Sequence, residues 1–400
     1  MNTSAASGAF ESAPPSASPS QPLPTESSNL VRRARELVPL LREHAGEADR
    51  SGRLPETVAA ALRDAGFLSL QVPRALKGPG ADFRTAFEVY TELGRGCGSS
   101  GWLAMVLSGG SYMTALLGEQ ARQEIWGVDP GAVVASRLPA AGTGRVVDGG
   151  LMVSGRWWPT SGVHHSEWAM VAVATDADAD LALAVVPTAA GSTEQTWEVT
   201  GLRATGSDTI AFDEVFVPEH RVLSLTRMVV GGCAQDHPDE PLCAAAVVPA
   251  LTVTLVAPLL GMGLAALEHA QDQLAAPARR AESTSVQHAV ADAASLIDSA
   301  RLLLMRALDD VETGIARRAQ PDKLVQARIQ MDAAMAARNL REAVRHLLTA
   351  LGSASFSTAG PVQRIWRDME VALSHSNLAP DPNREAYGQA LLGVTAEGTG

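Results

Sequence analysis

Residues 129–158 read DPGAVVASRLPAAGTGRVVDGGLMVSGRWW, and this stretch decides the fold class. Before it, apolar residues recur at three-to-four spacing. After Asp129-Pro130-Gly131 they come in short runs broken by Gly, Pro and Asp, and Asp148-Gly149-Gly150 is a hairpin-turn signal. The same texture continues through EWAMVAVATD, LALAVVP and DTIAFDEVFVP to about residue 225. The spacing predicts a β domain over 131–225, about a hundred residues, the size of an ordinary barrel or sandwich.

Upstream, Leu30, Ala34, Leu37, Leu41 and Ala45 mark one helix face, and Leu54–Leu68 repeats the pattern with Pro55 at a helix start. Residues 82–95 and 99–127 add helix, with Trp102, Met105, Leu116 and Trp126 as core candidates. An N-terminal helical domain over 29–130 follows. Downstream, Val290, Ala293, Ile297, Ala300, Leu304, Leu308 and Val311 form one apolar stripe. An Ala-rich helix is expected at 322–350, ended by Gly352 and Ser353, with further helix at 361–377 and 383–393. The C-terminal region, 240–395, therefore reads as a helical bundle. Residues 1–28, rich in Ser, Pro and Ala, read as a disordered tail without the basic start and apolar run of a signal peptide.

Composition narrows the function classes. The chain has 400 residues, 46% of them hydrophobic and 19% charged, enough for a large core. Lys plus Arg is 32 against 44 Asp plus Glu, a net charge of −12, which disfavours nucleic acid and anionic membranes as partners. Cys97, Cys233 and Cys243 lie far apart, so neither a disulfide scaffold nor a CxxC zinc site is present, and a cytoplasmic location is expected. Leu242–Leu267 carries no charge and is long enough to span a bilayer. Pro249, Pro258, Thr252 and Thr254 interrupt it and no basic cluster flanks it, so it reads as a buried strap followed by a helix starting near Pro258.

Common chemical motifs are missing: there is no P-loop or GxSxG. Gly94–Gly98 (GRGCG) lies between helices and lacks a following Lys-Ser/Thr. His164 and His165 are neighbours that a strand would point to opposite faces, which argues against a shared metal. Asp176, Asp178 and Asp180 alternate like a calcium loop but lack an acidic twelfth ligand, so they read as a hairpin tip.

Four segments, in order, carry a resemblance: Val153–Trp168 (VSGRWWPTSGVHHSEW), Gly201–Pro218 (GLRATGSDTIAFDEVFVP), Val290–Leu303 (VADAASLIDSARLL) and Pro361–Gly393 (PVQRIWRDMEVALSHSNLAPDPNREAYGQALLG). Together they resemble the two-component flavin-dependent monooxygenases (group D) of the acyl-CoA dehydrogenase-like superfamily. The resemblance implies an α+β fold: N-terminal α-helical domain, middle β-barrel or sandwich, C-terminal four-helix bundle. It implies reduced FMN or FAD from a separate reductase, O2 as co-substrate, and a flavin C4a-hydroperoxide that hydroxylates a small or medium aromatic substrate in a water-poor pocket. It also implies a homotetramer built through the bundle.

The site residues follow from the same resemblance. Ser161, with Gly162 beside it, falls where the family places a hydroxyl near flavin N5. Trp157 falls where it would wall the flavin, although a lone Trp is most often a core residue. Arg203, Thr205 and Ser207 are expected at the flavin or the pocket rim. Pro139–Thr143 (PAAGT) resembles a dehydrogenase loop that puts Ser136 and Leu138 at the ring. His375 is expected to act as acid, base or peroxide-stabilising group because imidazole titrates near neutrality. Glu370 stands where many relatives carry a His and could instead anchor an amine; Asp368 is expected to pair with Arg364 or Arg367. Ser357 occupies the place of a dehydrogenase's catalytic Glu, and an unassisted hydroxyl cannot take the α-proton of a thioester. The competing readings are an acyl-CoA dehydrogenase-like FAD desaturase, an N-hydroxylase of an amine or amino sugar, and a flavin-free scaffold.

Overall fold

The computed structural model describes residues 25–176, 180–275 and 281–394. Its first third is helical: α1 (Thr25–Ser51), α2 (Glu56–Asp64), α3 (Phe83–Gly96), α4 (Gly98–Thr114) and α5 (Glu119–Trp126). In α1 the buried residues Val31, Ala34, Val38, Leu41, Ala45 and Ala48 keep the three-to-four period that the sequence shows. Helix α1 begins earlier than expected: Thr25–Ser28, assigned to the tail, are helical, and the rest of that tail lies outside the described residues. The Asp82 carboxylate starts α3 by accepting the Thr85 N–H at 2.7 Å.

The middle region holds β1 (Val134–Arg137), β2 (Gly142–Val147), β3 (Gly150–Trp157), β4 (Trp168–Thr175), β5 (Leu181–Pro187), β6 (Ser192–Glu194), β7 (Thr209–Pro218) and β8 (Val222–Ser224). They form one sheet in the order β6-β7-β3-β2-β4-β5-β8, with β1 parallel to β4. Asp148 and Gly149 make the β2–β3 turn, Val147 pairing with Gly150, and Gly149 sits at φ 76°, in the region that glycine tolerates. The sheet's two faces are both used. On β4, Ala169, Val171 and Val173 join a local core with Trp157, Phe212 and Val153. Met170 and Ala172 face the other way, into the main core shared by the helices. Residues from β3 and β7 at one end of the strand order and from β5 at the other meet in the same local core, so the sheet curls over itself.

A short helix α6 (Leu225–Val229) leads to the C-terminal helices α7 (Val247–Ala275), α8 (Thr284–Arg317), α9 (Lys323–Leu351), α10 (Pro361–Ala372) and α11 (Pro380–Leu392). Helix α7 corrects one expectation. It runs unbroken from Val247, so the stretch before Pro258 is helix and no strap. Pro249 falls in the first turn, where an N–H has no helical partner to lose. Pro258 is inside the helix, at its crossing with α3 and α4. A Cβ on Gly94 would meet the Pro258 carbonyl oxygen at 2.4 Å, and one on Gly261 would meet that of Thr91 at 2.0 Å. Gly94 of the GRGCG stretch therefore serves a backbone-close helix crossing, while Gly96 faces the Leu41 side chain and Gly98 those of Met262 and Asp368. By length and composition α7 could cross a membrane, but 83% of its most apolar window is buried in the protein.

Candidate active site

Two loops of the β domain face each other across backbone hydrogen bonds. Thr160 N–H donates to Asp208 O at 3.1 Å and Gly162 N–H to Thr205 O at 3.2 Å. This pairing sets Ser161 opposite Ser207. Gly162 holds φ 74°, and a Cβ there would meet Leu107 of α4 at 2.7 Å, so the loop lies directly on that helix.

The result is a chain of hydroxyls. Thr205 Oγ1 lies 2.8 Å from the Leu202 carbonyl, Ser207 Oγ 2.7 Å from Thr205 Oγ1, and Ser161 Oγ 2.7 Å from Ser207 Oγ. A carbonyl only accepts, so Thr205 must donate to Leu202. Thr205 then accepts from Ser207, and Ser207 from Ser161. Ser161, the half-buried end of the chain, is left with lone pairs and no free proton. Thr205 and Ser207 are each 1% exposed, so this order is set inside the protein.

The Leu202 carbonyl is itself held. It also accepts the Trp197 indole N–H at 3.0 Å, and the Leu202 N–H donates to Asp368 Oδ1 at 2.6 Å. Asp368 thus pairs with a backbone amide of the β domain; Arg367 is committed to Asp49 at 2.7 Å. Burial pushes the Asp368 carboxyl up to about 7, with Asp49 adding to the effect and Arg367 and Arg364 opposing it. Beside the relay, Asp208 accepts from His164 Nε2 at 2.7 Å and from the Thr196 and Trp197 N–H groups. Burial works against its charge, yet these bonds hold it below the usual carboxylate range.

A second corner lies nearer the N-terminus of α4. Trp102 packs its ring against His375, centroids 6.1 Å apart at 62°. The His375 Nδ1 accepts the Asn377 N–H at 3.3 Å. Burial, with the nearby Arg137 charge, lowers its pKa to about 4, so it is neutral at pH 7. A neutral imidazole with Nδ1 accepting carries its proton on Nε2. The expectation of a group titrating near neutrality is corrected: His375 is a fixed N–H donor. Trp102 and Leu107, which back the two corners, are about 7 Å apart along the helix axis.

Several expected residues stand elsewhere. Trp157 is 0% exposed in the sheet's local core, its indole donating to the Ala172 carbonyl at 2.9 Å, and it cannot wall a ligand. Its neighbour Trp158 is the accessible ring, 50% exposed and packed on Trp197 at 6.2 Å. Arg203 donates to the carbonyls of Asp49 and Val199 at 2.7 and 2.9 Å, tying its loop to α1 instead of facing a pocket. Glu370 is held by Arg345 at 3.0 Å, by the Trp366 indole at 3.1 Å and by Arg341 at 3.9 Å. It ties α10 to α9. Ser136 and Leu138 are half-buried around the end of β1. A Cβ on Gly110 of α4 would meet Ser136 Cβ at 3.4 Å. Of the aspartates read as a hairpin tip, Asp178 lies outside the described residues, while Asp176 accepts the Val146 N–H and Asp180 the Ser224 hydroxyl.

The family models for the acyl-CoA dehydrogenase N-terminal domain and C-terminal domain match residues 25–127 and 253–380. The oxygenase subunit HsaA of a flavin-dependent monooxygenase from Mycobacterium tuberculosis is 32% identical over 362 residues, 87% of this chain and 91% of the relative. This chain belongs to the flavin-dependent monooxygenases of the acyl-CoA dehydrogenase-like superfamily. The oxygenase component of an FADH2-dependent resorcinol hydroxylase from Rhizobium sp. is 29% identical, covering 92% of this chain and 95% of that one. Among solved structures, XiaF from Streptomyces sp., in complex with FADH2 and glycerol, superposes with a TM-score of 0.88. It is 29% identical and the match covers 93% of this chain and 97% of XiaF. For a member of this monooxygenase family the donor set is apt: the N5–H of a reduced flavin is a donor, and Ser161 offers only acceptance.

Proposed function

We propose that this chain is the oxygenase component of a two-component aromatic hydroxylase. It takes reduced flavin from a separate reductase and, with O2, adds one oxygen atom to the ring of a small or medium aromatic substrate. The observation that carries the proposal is the hydroxyl relay ending in an acceptor-only Ser161. Bound reduced flavin supplies the activation of O2. The protein's share is orientation, proton placement and exclusion of water.

Thr205 and Ser207 fix the proton of Ser161 toward the relay, so Ser161 would accept from the N5–H of a bound reduced flavin. An oxidised flavin has an unprotonated N5, which would meet Ser161 lone pair to lone pair. The same relay therefore favours reduced over oxidised flavin. Trp158, three residues before Ser161, packs on Trp197 at 6.2 Å, and this accessible pair offers an apolar wall. His375 Nε2–H donates to an oxygen of the substrate and so orients its ring. FADH2 is the proposed form, because both relatives at 29% identity that name a flavin name it. A homotetramer is part of the proposal, supported by the exposed Leu302, Leu324, Leu391 and Leu392 on the C-terminal helices. So is a cytoplasmic location, supported by three buried free cysteines.

The desaturase reading lacks its base: Ser357 is exposed and stands where the carboxylate would be. Against the N-hydroxylase reading stands the pairing of Glu370, its proposed amine anchor, with Arg345 and the Trp366 indole. The test is anaerobic titration with FADH2, followed by 18O2 and a panel of phenols. One labelled oxygen in a hydroxylated product is expected. Failure to bind FADH2, or hydrogen peroxide as the sole product across the panel, would overturn the proposal.

A further inference from the structure

Three segments of chain carry the hydroxyl relay and its support, and one carboxylate is bonded to all of them. Asp208 is 4% exposed and directly follows Ser207. Its Oδ1 accepts the N–H groups of Thr196 and Trp197 at 2.8 and 2.9 Å. Its Oδ2 accepts from His164 Nε2 at 2.7 Å, which must be the donor because a carboxylate only accepts. Its backbone carbonyl takes the Thr160 N–H at 3.1 Å, and Arg53, from the α1–α2 connection, adds an ion pair at 3.5 Å. Burial works against the charge, yet the His164, Thr196 and Trp197 bonds hold the group below the usual carboxylate range. Both oxygens therefore remain acceptors at neutral pH.

His164 turns this hub into a clamp. Its imidazole also lies on Gly206, where a Cβ would meet the ring Cδ2 at 3.2 Å. Gly206 holds φ 49° between Thr205 and Ser207, the two buried hydroxyls of the relay. The Ser161 loop thus grips that turn twice, through the Ser161 hydroxyl and, three residues later, through His164. The 2.7 Å contact between Ser161 and Ser207 is the last link of the proton order. If the loops part there, Ser161 loses its acceptor and its proton is free to turn outward.

We propose that Asp208 and His164 are positioning residues for the relay: the imidazole, bonded to Asp208 and resting on Gly206, clamps the turn bearing Thr205 and Ser207 to the loop bearing Ser161, and so keeps Ser161 an acceptor. This rests on the proposed function for the flavin at Ser161. Neither residue touches the flavin in this reading. Their effect falls on which redox state of the flavin is preferred, and a residue that merely stabilised the fold would not change that preference.

The test measures binding without turnover: the dissociation constants of FAD and of FADH2, the latter anaerobically, for the full chain. The quantity read is their ratio. His164→Ala should lower it about threefold to tenfold, one hydrogen bond's worth. The His164 side chain is 26% exposed, so this variant spares the core. His164→Gln, which keeps an N–H for Asp208, should recover part of the loss. Asp208→Ala should lower the ratio at least as far as His164→Ala, and the double variant no further than Asp208→Ala, because His164 acts through Asp208. If Asp208→Ala does not fold, the two His164 variants decide alone. An unchanged ratio in His164→Ala, equal weakening of both flavin forms, or no recovery in His164→Gln would overturn the proposal. The wild type separates this failure from that of the proposed function. A wild type that does not bind FADH2, or binds it no better than FAD, overturns the relay reading and this proposal with it. A wild-type preference that survives intact in His164→Ala overturns only the part given to His164 and Asp208.

Discussion

Asp368→Asn should make the protein more stable above neutral pH. The carboxyl is 4% exposed and burial lifts it from the ordinary 3.8 to about 7. A raised carboxyl means that the folded state holds the proton more tightly than the unfolded chain does. Its contribution is complete below pH 3.8 and is lost as pH rises toward 7. The gap of about three pKa units sets a ceiling of roughly 4 kcal/mol lost across that window. Asparagine keeps an oxygen for the Leu202 N–H and cannot ionise. The variant and wild type should therefore unfold alike near pH 4 and diverge steadily, with the variant ahead at pH 8. Urea unfolding followed by tryptophan fluorescence at pH 5, 6, 7 and 8 measures this, and the chain has seven tryptophans to report it. A variant weaker than wild type at pH 8 would refute the reasoning. Asp368 would then be an ionised anchor stabilised by Arg364 and Arg367. Asp368→Ala is the control: it strands the Leu202 N–H and should cost about 1–3 kcal/mol at every pH.

Thr205→Val removes the donor that fixes the relay, leaving Ser207 free to donate to Ser161 and Ser161 free to donate outward; the ratio of oxidised to reduced FAD dissociation constants should fall by about tenfold, one hydrogen bond's worth. His375→Ala should lower kcat/KM for hydroxylation by about tenfold to a hundredfold, and His375→Gln, which keeps an N–H, should recover part of it. Because His375 is neutral down to about pH 4, the wild-type rate should show no His375 limb between pH 6 and 8. Trp157→Ala should cost roughly 3–5 kcal/mol in urea unfolding and leave FADH2 affinity intact. Trp158→Ala should do the reverse, with a stability change within about 1 kcal/mol and weaker FADH2 binding.

The tryptophan doublet shows where sequence reading stops. Alternation along β3 says that Trp157 and Trp158 face opposite sides, but not which side is the core. The answer is in Phe212 and Ala172, which meet Trp157 only after β7 and β4 have paired around it. The order of helices, sheet and bundle was legible because the apolar period changes from 3.6 to 2 and back within the chain itself. The start of α7 was misread because a proline signals a helix start by local rules, and only the crossing with Gly94 explains how Pro258 sits mid-helix.

The same distinction governs the site. Ser161 stood out through its flanking motif, yet what makes it an acceptor is a proton order passed from Leu202 through Thr205 and Ser207, more than 40 residues away in the chain. Glu370 carried a functional expectation because its ion-pair partners, Arg341 and Arg345, belong to another helix. Chemistry that resides in a residue type can thus be read early. Chemistry that resides in which protons are already committed, and which charges are already paired, exists only once the chain has closed on itself.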